Sequence, residues 1–116
     1  MTGLSIASLN LAERLTDPAE RASVAGFLSG GLAIMISPDC DEDQVDPKRE
    51  PTVPRGFATD GTWIWSFALG YYVQEHGVAP EADFLAYMRE RDYTAAPPDE
   101  AARERAARFL DAHIDG

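Results

Sequence analysis

The stretch from Thr59 to Gly77 constrains the fold more than any other, because its apolar spacing changes period in the middle. Thr62 to Trp65 alternates, with Trp63 and Trp65 on one face and Thr62 and Ile64 on the other, as in a strand. From Trp65 onward the apolar residues fall at Trp65, Ala68, Leu69, Tyr72 and Val73, the stripe of an amphipathic helix. Thr59-Asp60-Gly61 reads as a turn, since Asp bonds the following backbone and Gly tolerates positive φ. Gly77 suits the residue after a helix end. The expected order is turn, short extended piece, and a helix that stops at His76.

The flanking segments are built around this one. Asn10 to Leu15 reads as a short helix. In Asp17-Pro18-Ala19-Glu20, Asp17 is an N-cap, Pro18 fits the first helical position and Glu20 completes a capping box. That helix should reach Ser29, with Ala22, Val24, Ala25 and Leu28 inward, and end at Gly30-Gly31. Leu32 to Ile36 is an unbroken apolar run between turn residues and reads as a buried strand. Residues 38–56 carry Pro38, Pro47, Pro51 and Pro54 and read as a long polar connection without regular structure. Phe57 and Ala58 are expected to pair with the apolar strand.

Two more helices follow. One runs from Glu81 to about Arg91, with Phe84, Leu85 and Met88 inward and charges that match the helix dipole. The last runs from near Pro98-Asp99 to His113, with Ala102, Ala106, Phe109, Leu110 and His113 on its inner stripe. The fold class expected is α+β, mainly helical, with about four helices and a small sheet of two or three strands. At 116 residues the chain is expected to be one domain, residues 1–116.

Charge narrows the function. Twenty acids face ten bases, for a net charge of −10, and only one of the bases is a lysine, Lys48. Phosphate backbones are bound by Lys and Arg, so nucleic acid is not an expected partner. An acidic field instead speeds encounter with a basic protein; the simpler reading is that the charge keeps a small protein soluble. No apolar run is long enough for a membrane span and no signal-peptide pattern opens the chain. The single Cys40 has no internal disulfide partner, which favours the cytoplasm.

No catalytic constellation emerges. Cys40 sits among carboxylates, which weaken a thiolate nucleophile. His76 and His113 lie near helix ends, where capping or packing explains them. The chain has no nucleophile elbow, phosphate-binding loop or His-Glu-x-x-His motif. Asp39, Asp41 and Asp43 follow the spacing of an EF-hand loop with Glu50 at its twelfth position, but Gln44 stands where that loop needs Gly and Pro47 interrupts it. No metal site and no cofactor are therefore expected, and the chain is not expected to be an enzyme. Candidate partner-binding residues are the acids Asp39, Asp41, Glu42, Asp43 and Asp46, read as a solvated loop, with Phe67 and Tyr71, four apart and off the inner stripe of their helix. A helix covered on both sides is the alternative for that aromatic pair.

Several segments carry a resemblance: Asp17-Pro18-Ala19-Glu20-Arg21, Gly30-Gly31 before an apolar run, Val45-Asp46-Pro47, Val53-Pro54, Thr59 to Trp65, and Tyr71-Tyr72-Val73-Gln74-Glu75-His76-Gly77. Together they resemble small acidic actinobacterial proteins similar to immunity proteins of polymorphic toxin systems. The resemblance spans residues 17 to about 90 and supplies no binding residues of its own. It implies a protein that inhibits a cognate, basic toxin by covering its active site. The alternative from a different class is a non-catalytic structural or regulatory module, self-associating through the aromatic helix. Oligomeric state is not readable from the sequence.

Overall fold

The computed structural model describes residues 4–114. Strand β1 (Ser5–Ile6) is followed by helix α1 (Pro18–Ser29), strands β2 (Leu32–Asp41), β3 (Val53–Thr59) and β4 (Trp63–Ser66), and helices α2 (Phe67–His76), α3 (Ala82–Glu90) and α4 (Glu100–Ile114). Among the described residues the fold is α+β with four helices, but it is less dominated by helix than expected, because the sheet has four strands rather than two or three, in the order β1-β4-β3-β2. β1 runs parallel to β4, and the other two pairs are antiparallel.

The period change at Trp65 organises both faces. Trp63 and Trp65 point to one side, where both stack or tilt against Phe84 of α3. Ile64 points to the other, where it packs with Ala106 and Leu110 of α4. Helices α1, α2 and α3 therefore cover one face of the sheet, and α4 the other. β4 continues to Ser66, so α2 begins at Phe67, two residues later than the stripe suggested. Ser66 is the reason: its hydroxyl accepts from the Leu69 amide and caps the helix. Gly77 closes α2 in the left-handed conformation, φ 67°. Arg21 of α1 then donates to the carbonyls of Val73 and Gln74 in the last turn, the first of which also accepts from the Gly77 amide.

The turn at Asp60 forms as expected, with its Oδ1 accepting from the amides of Thr62 and Trp63. α1 is capped by Asp17, which accepts from the Ala19 amide. Glu20 does not close a capping box; its carboxylate holds Arg89 and Tyr93 at the end of α3 instead. Phe27 joins Val24 and Leu28 as the buried face of α1, while Ala22 is exposed. α3 buries Phe84, Leu85 and Met88. On α4, Ala106 and Leu110 are buried, but His113 is exposed and bonds the Phe109 carbonyl.

Two expectations fail. Asn10–Leu15 is not a helix: Asn10 turns the chain, accepting from the Ala12 amide, and Leu15 donates to the Gly77 carbonyl. So short a segment before the Asp17 cap cannot nucleate a stable helix. The prolines of residues 38–56 do not exclude strands either, since β2 passes through Pro38 and β3 through Pro54. Pro38 falls within a register shift between Ser37 and Cys40, and Pro54 is the second residue of its strand. Bulges and strand starts are where proline is tolerated.

Candidate interaction surface

The expected acidic loop divides into two structures with different roles. Asp39 and Asp41 are on β2, at its C-terminal end, where both face Arg55 of β3 (3.9 and 3.2 Å). Glu42 is exposed and has no ion-pair partner among the described residues. Asp43 is the correction. It is 0 % exposed rather than solvated. Its Oδ2 accepts from the Tyr71 hydroxyl and from His76 Nε2, each at 2.6 Å, and its Oδ1 from the amides of Val45 and Asp46. Arg49 closes the cluster, donating to the Tyr71 hydroxyl at 2.7 Å and to Glu75 at 3.3 Å. Its Nε also lies 3.5 Å from Asp46. Gln44 donates its amide to the Tyr72 hydroxyl. Residues 43–49 are thus fastened to the outer side of α2.

Tyr71 is tied into this cluster by its hydroxyl. Its ring is half-buried and its hydroxyl is taken by Asp43 and Arg49. Phe67 is half-buried against the core. Both aromatics are only half-buried, and both line a groove beside β2. Asp39, Asp41 and Asp43 do not converge as ligands, and no group of three metal-binding side chains gathers among the described residues.

The charge on Asp43 is stable where it is. Burial works against it, but the Tyr71 and His76 hydrogen bonds and the two amides outweigh burial and hold the carboxyl well below the usual carboxylate range. Glu20 is lowered in the same direction by Arg89 and Tyr93. A lowered folded-state pKa gives stability that is fully present above the unfolded value, about 4, and is lost as pH falls toward the folded value. Thermal melts should therefore shift downward between about pH 4.5 and pH 2. Asp43→Asn should flatten that dependence. A dependence as steep as that of the parent chain would show that other carboxylates carry it.

The surface the sequence reading missed is β2. It lies at one edge of the sheet and, among the described residues, pairs only with β3. Of the five large apolar side chains that are exposed among the described residues, Leu32 (38 %), Met35 (37 %) and Ile36 (72 %) all lie in its first half. The unbroken run was read as buried because periodicity cannot separate a central strand from an edge strand. Only Ile34 reaches the α4 side of the core. On the α1 and α2 side, a groove of about 500 Å³ runs alongside β2. Small residues shape it: Gly31 and Ala33 from the β2 side, Ala58 of β3 and Gly70 of α2, with the half-buried rings of Phe67 and Tyr71 as aromatic walls and Trp65 buried beneath Gly31. Gly31 is required here, because a Cβ would collide with the Trp65 ring. β2 therefore has an apolar first half beside a groove and an acidic second half that leads into Glu42.

Among the described residues no helix is long and apolar enough to cross a membrane. Comparison with protein-family models, curated proteins and solved structures finds no match to this chain.

Proposed function

We propose that this chain is an immunity-type protein that binds a cognate basic toxin in the cytoplasm and inhibits it by covering its active site. The observation that supports this reading is the asymmetry of β2, with exposed Leu32, Met35 and Ile36 leading into Asp39, Asp41 and Glu42 on a chain of net charge −10. Apolar side chains supply contact area and the acids supply attraction at a distance, the division of labour usual at protein interfaces. Neither catalysis nor nucleic-acid binding has comparable support: the buried His76–Asp43 pair is enclosed by its own hydrogen bonds, and an acidic surface repels phosphate.

The test is affinity capture from the source organism with this chain as bait and mild-salt washes. The expected result is one basic protein in stoichiometric amount whose activity the chain abolishes. Recovery of the chain alone would favour self-association, which the exposed edge of β2 could also support, in place of the aromatic helix. The acids that matter for encounter are the exposed ones. Neutralising Asp39, Asp41 and Glu42 together should slow association with the captured protein about tenfold at low ionic strength and reduce its salt dependence. Stopped-flow rates at two salt concentrations measure this, and an unchanged rate removes the acidic end from the mechanism.

A further inference from the structure

We infer that the partner binds by adding an extended strand to the free edge of β2, with a bulky apolar side chain in the adjoining groove and Lys or Arg at the end facing Asp39, Asp41 and Glu42. The inference deepens the reading of the chain as a binder of a basic protein and rests on it.

An edge strand offers unpaired backbone donors and acceptors, and proteins usually blunt such edges with lysine, proline, bulges or a covering element. In β2 the stretch Leu32–Ser37 holds neither lysine nor proline. A register shift between Ala33 and Met35 is the only blunting device there. Met35 and Ile36 are adjacent, so their side chains leave opposite faces of the strand, yet both are exposed. A helix over the edge could not leave both faces open, so this part of the edge is uncovered. The next residues, from Pro38 onward, are interrupted by proline and a second register shift and carry the acids. An added strand would thus find about six residues of pairing and then a cluster of negative charge.

The groove fixes what the added strand would carry. From the β2 side the groove is lined by the small residues Gly31 and Ala33. A side chain from a neighbouring strand, on the α1 and α2 face, would pass over them toward Phe67 and Tyr71. The lining is small and apolar on its floor, which suits an aliphatic or aromatic side chain. Charge selects the source. A second copy would bring another net charge of −10 and a second acidic strand end, whereas a basic segment is attracted to both.

The test is selection of a displayed random-peptide library, about ten residues per peptide, on the full chain, followed by amide hydrogen exchange with and without the strongest peptide. The expected peptides alternate apolar residues and end in Lys or Arg, and they protect the amides of Leu32–Ser37. Ile36→Lys alters a side chain that contributes little to the core, so the variant folds; it should weaken the peptide about tenfold or more. Ala86→Lys, on the exposed side of α3, should leave it unchanged. Gly70→Ala adds a methyl whose nearest neighbour is Leu28 Cβ at 3.9 Å, so it too folds. It should weaken peptides with a bulky apolar residue more than peptides with a small one. Protection elsewhere on the chain, enrichment of acidic or uncharged peptides, or no enrichment overturns the inference. Protection of Leu32–Ser37 in the free chain that grows with its concentration also overturns it, by identifying a second copy as the occupant. If basic peptides protect Leu32–Ser37 but the captured protein is not inhibited, the inhibitor reading fails and strand addition stands.

Discussion

Asp43→Ala should lower the melting temperature by about 10 °C and free residues 43–49 from α2. The side chain accepts four hydrogen bonds, and its removal leaves the Tyr71 hydroxyl, His76 Nε2 and the amides of Val45 and Asp46 without an acceptor in a site closed to water. Arg49 would keep Glu75 and Asp46 but lose the negative charge 3.6 Å away that balances it on the inner side. Unpaired buried donors are more damaging than the mere absence of a contact, which is why the alanine variant should be worse than the asparagine one. Asparagine keeps the Oδ1 turn with Val45 and Asp46. Its amide NH2 is a donor and cannot accept from the Tyr71 hydroxyl or His76 Nε2, so two of the four hydrogen bonds are lost with the charge rather than all four. Thermal denaturation at neutral pH, with hydrogen exchange of the Gln44, Val45 and Asp46 amides, measures both effects. If exchange there is unchanged in Asp43→Ala, the cluster is not what fastens the segment.

Trp65→Ala should destabilise the chain by about 3–5 kcal/mol, enough to unfold a small domain or bring it close. Its ring is 1 % exposed and lies against Phe27 and Phe84, so alanine opens a cavity between α1, α3 and the sheet. The indole also does a polar task. Its Nε1–H donates to the carbonyl of Leu28, in the last turn of α1, where helical carbonyls lack an intrahelical partner. Trp65→Phe separates the two contributions: it keeps most of the packing, strands that carbonyl and should lose about 1–3 kcal/mol. Urea denaturation of both variants is the measurement. Equal losses would mean that the hydrogen bond carries the whole effect and the ring's volume none.

Much of the fold was legible because the informative residues act locally. Asp17 and Pro18 start a helix, Gly77 ends one, Asp60 makes a turn, and the alternation from Thr62 to Trp65 assigns Ile64 and Trp65 to opposite faces without reference to the rest of the chain. What was not legible depended on residues far apart in sequence. Asp43 looks like one acid among six until Tyr71 and His76, about thirty residues later, are folded over it. The only local hint was Arg49, the one arginine within the acidic stretch. Leu32 to Ile36 has the same sequence whether its strand is central or at an edge; the sheet order decides, and that order follows from β1 and β4 pairing on the far side. The prolines misled for a related reason. Whether Pro38 and Pro54 break a strand depends on what lies opposite them, and both lie where the ladder is already irregular.

The position of β2 also bears on how a chain like this can change over generations. Leu32, Met35 and Ile36 hold no core together, and substitutions at such exposed sites usually alter stability by no more than about 0.5 kcal/mol. Behind them, Gly31 is locked against Trp65 and cannot vary. The edge is therefore a variable strip mounted on an invariant frame. If a partner strand adds there as proposed, partner choice could be rewritten one residue at a time, with each intermediate still folded.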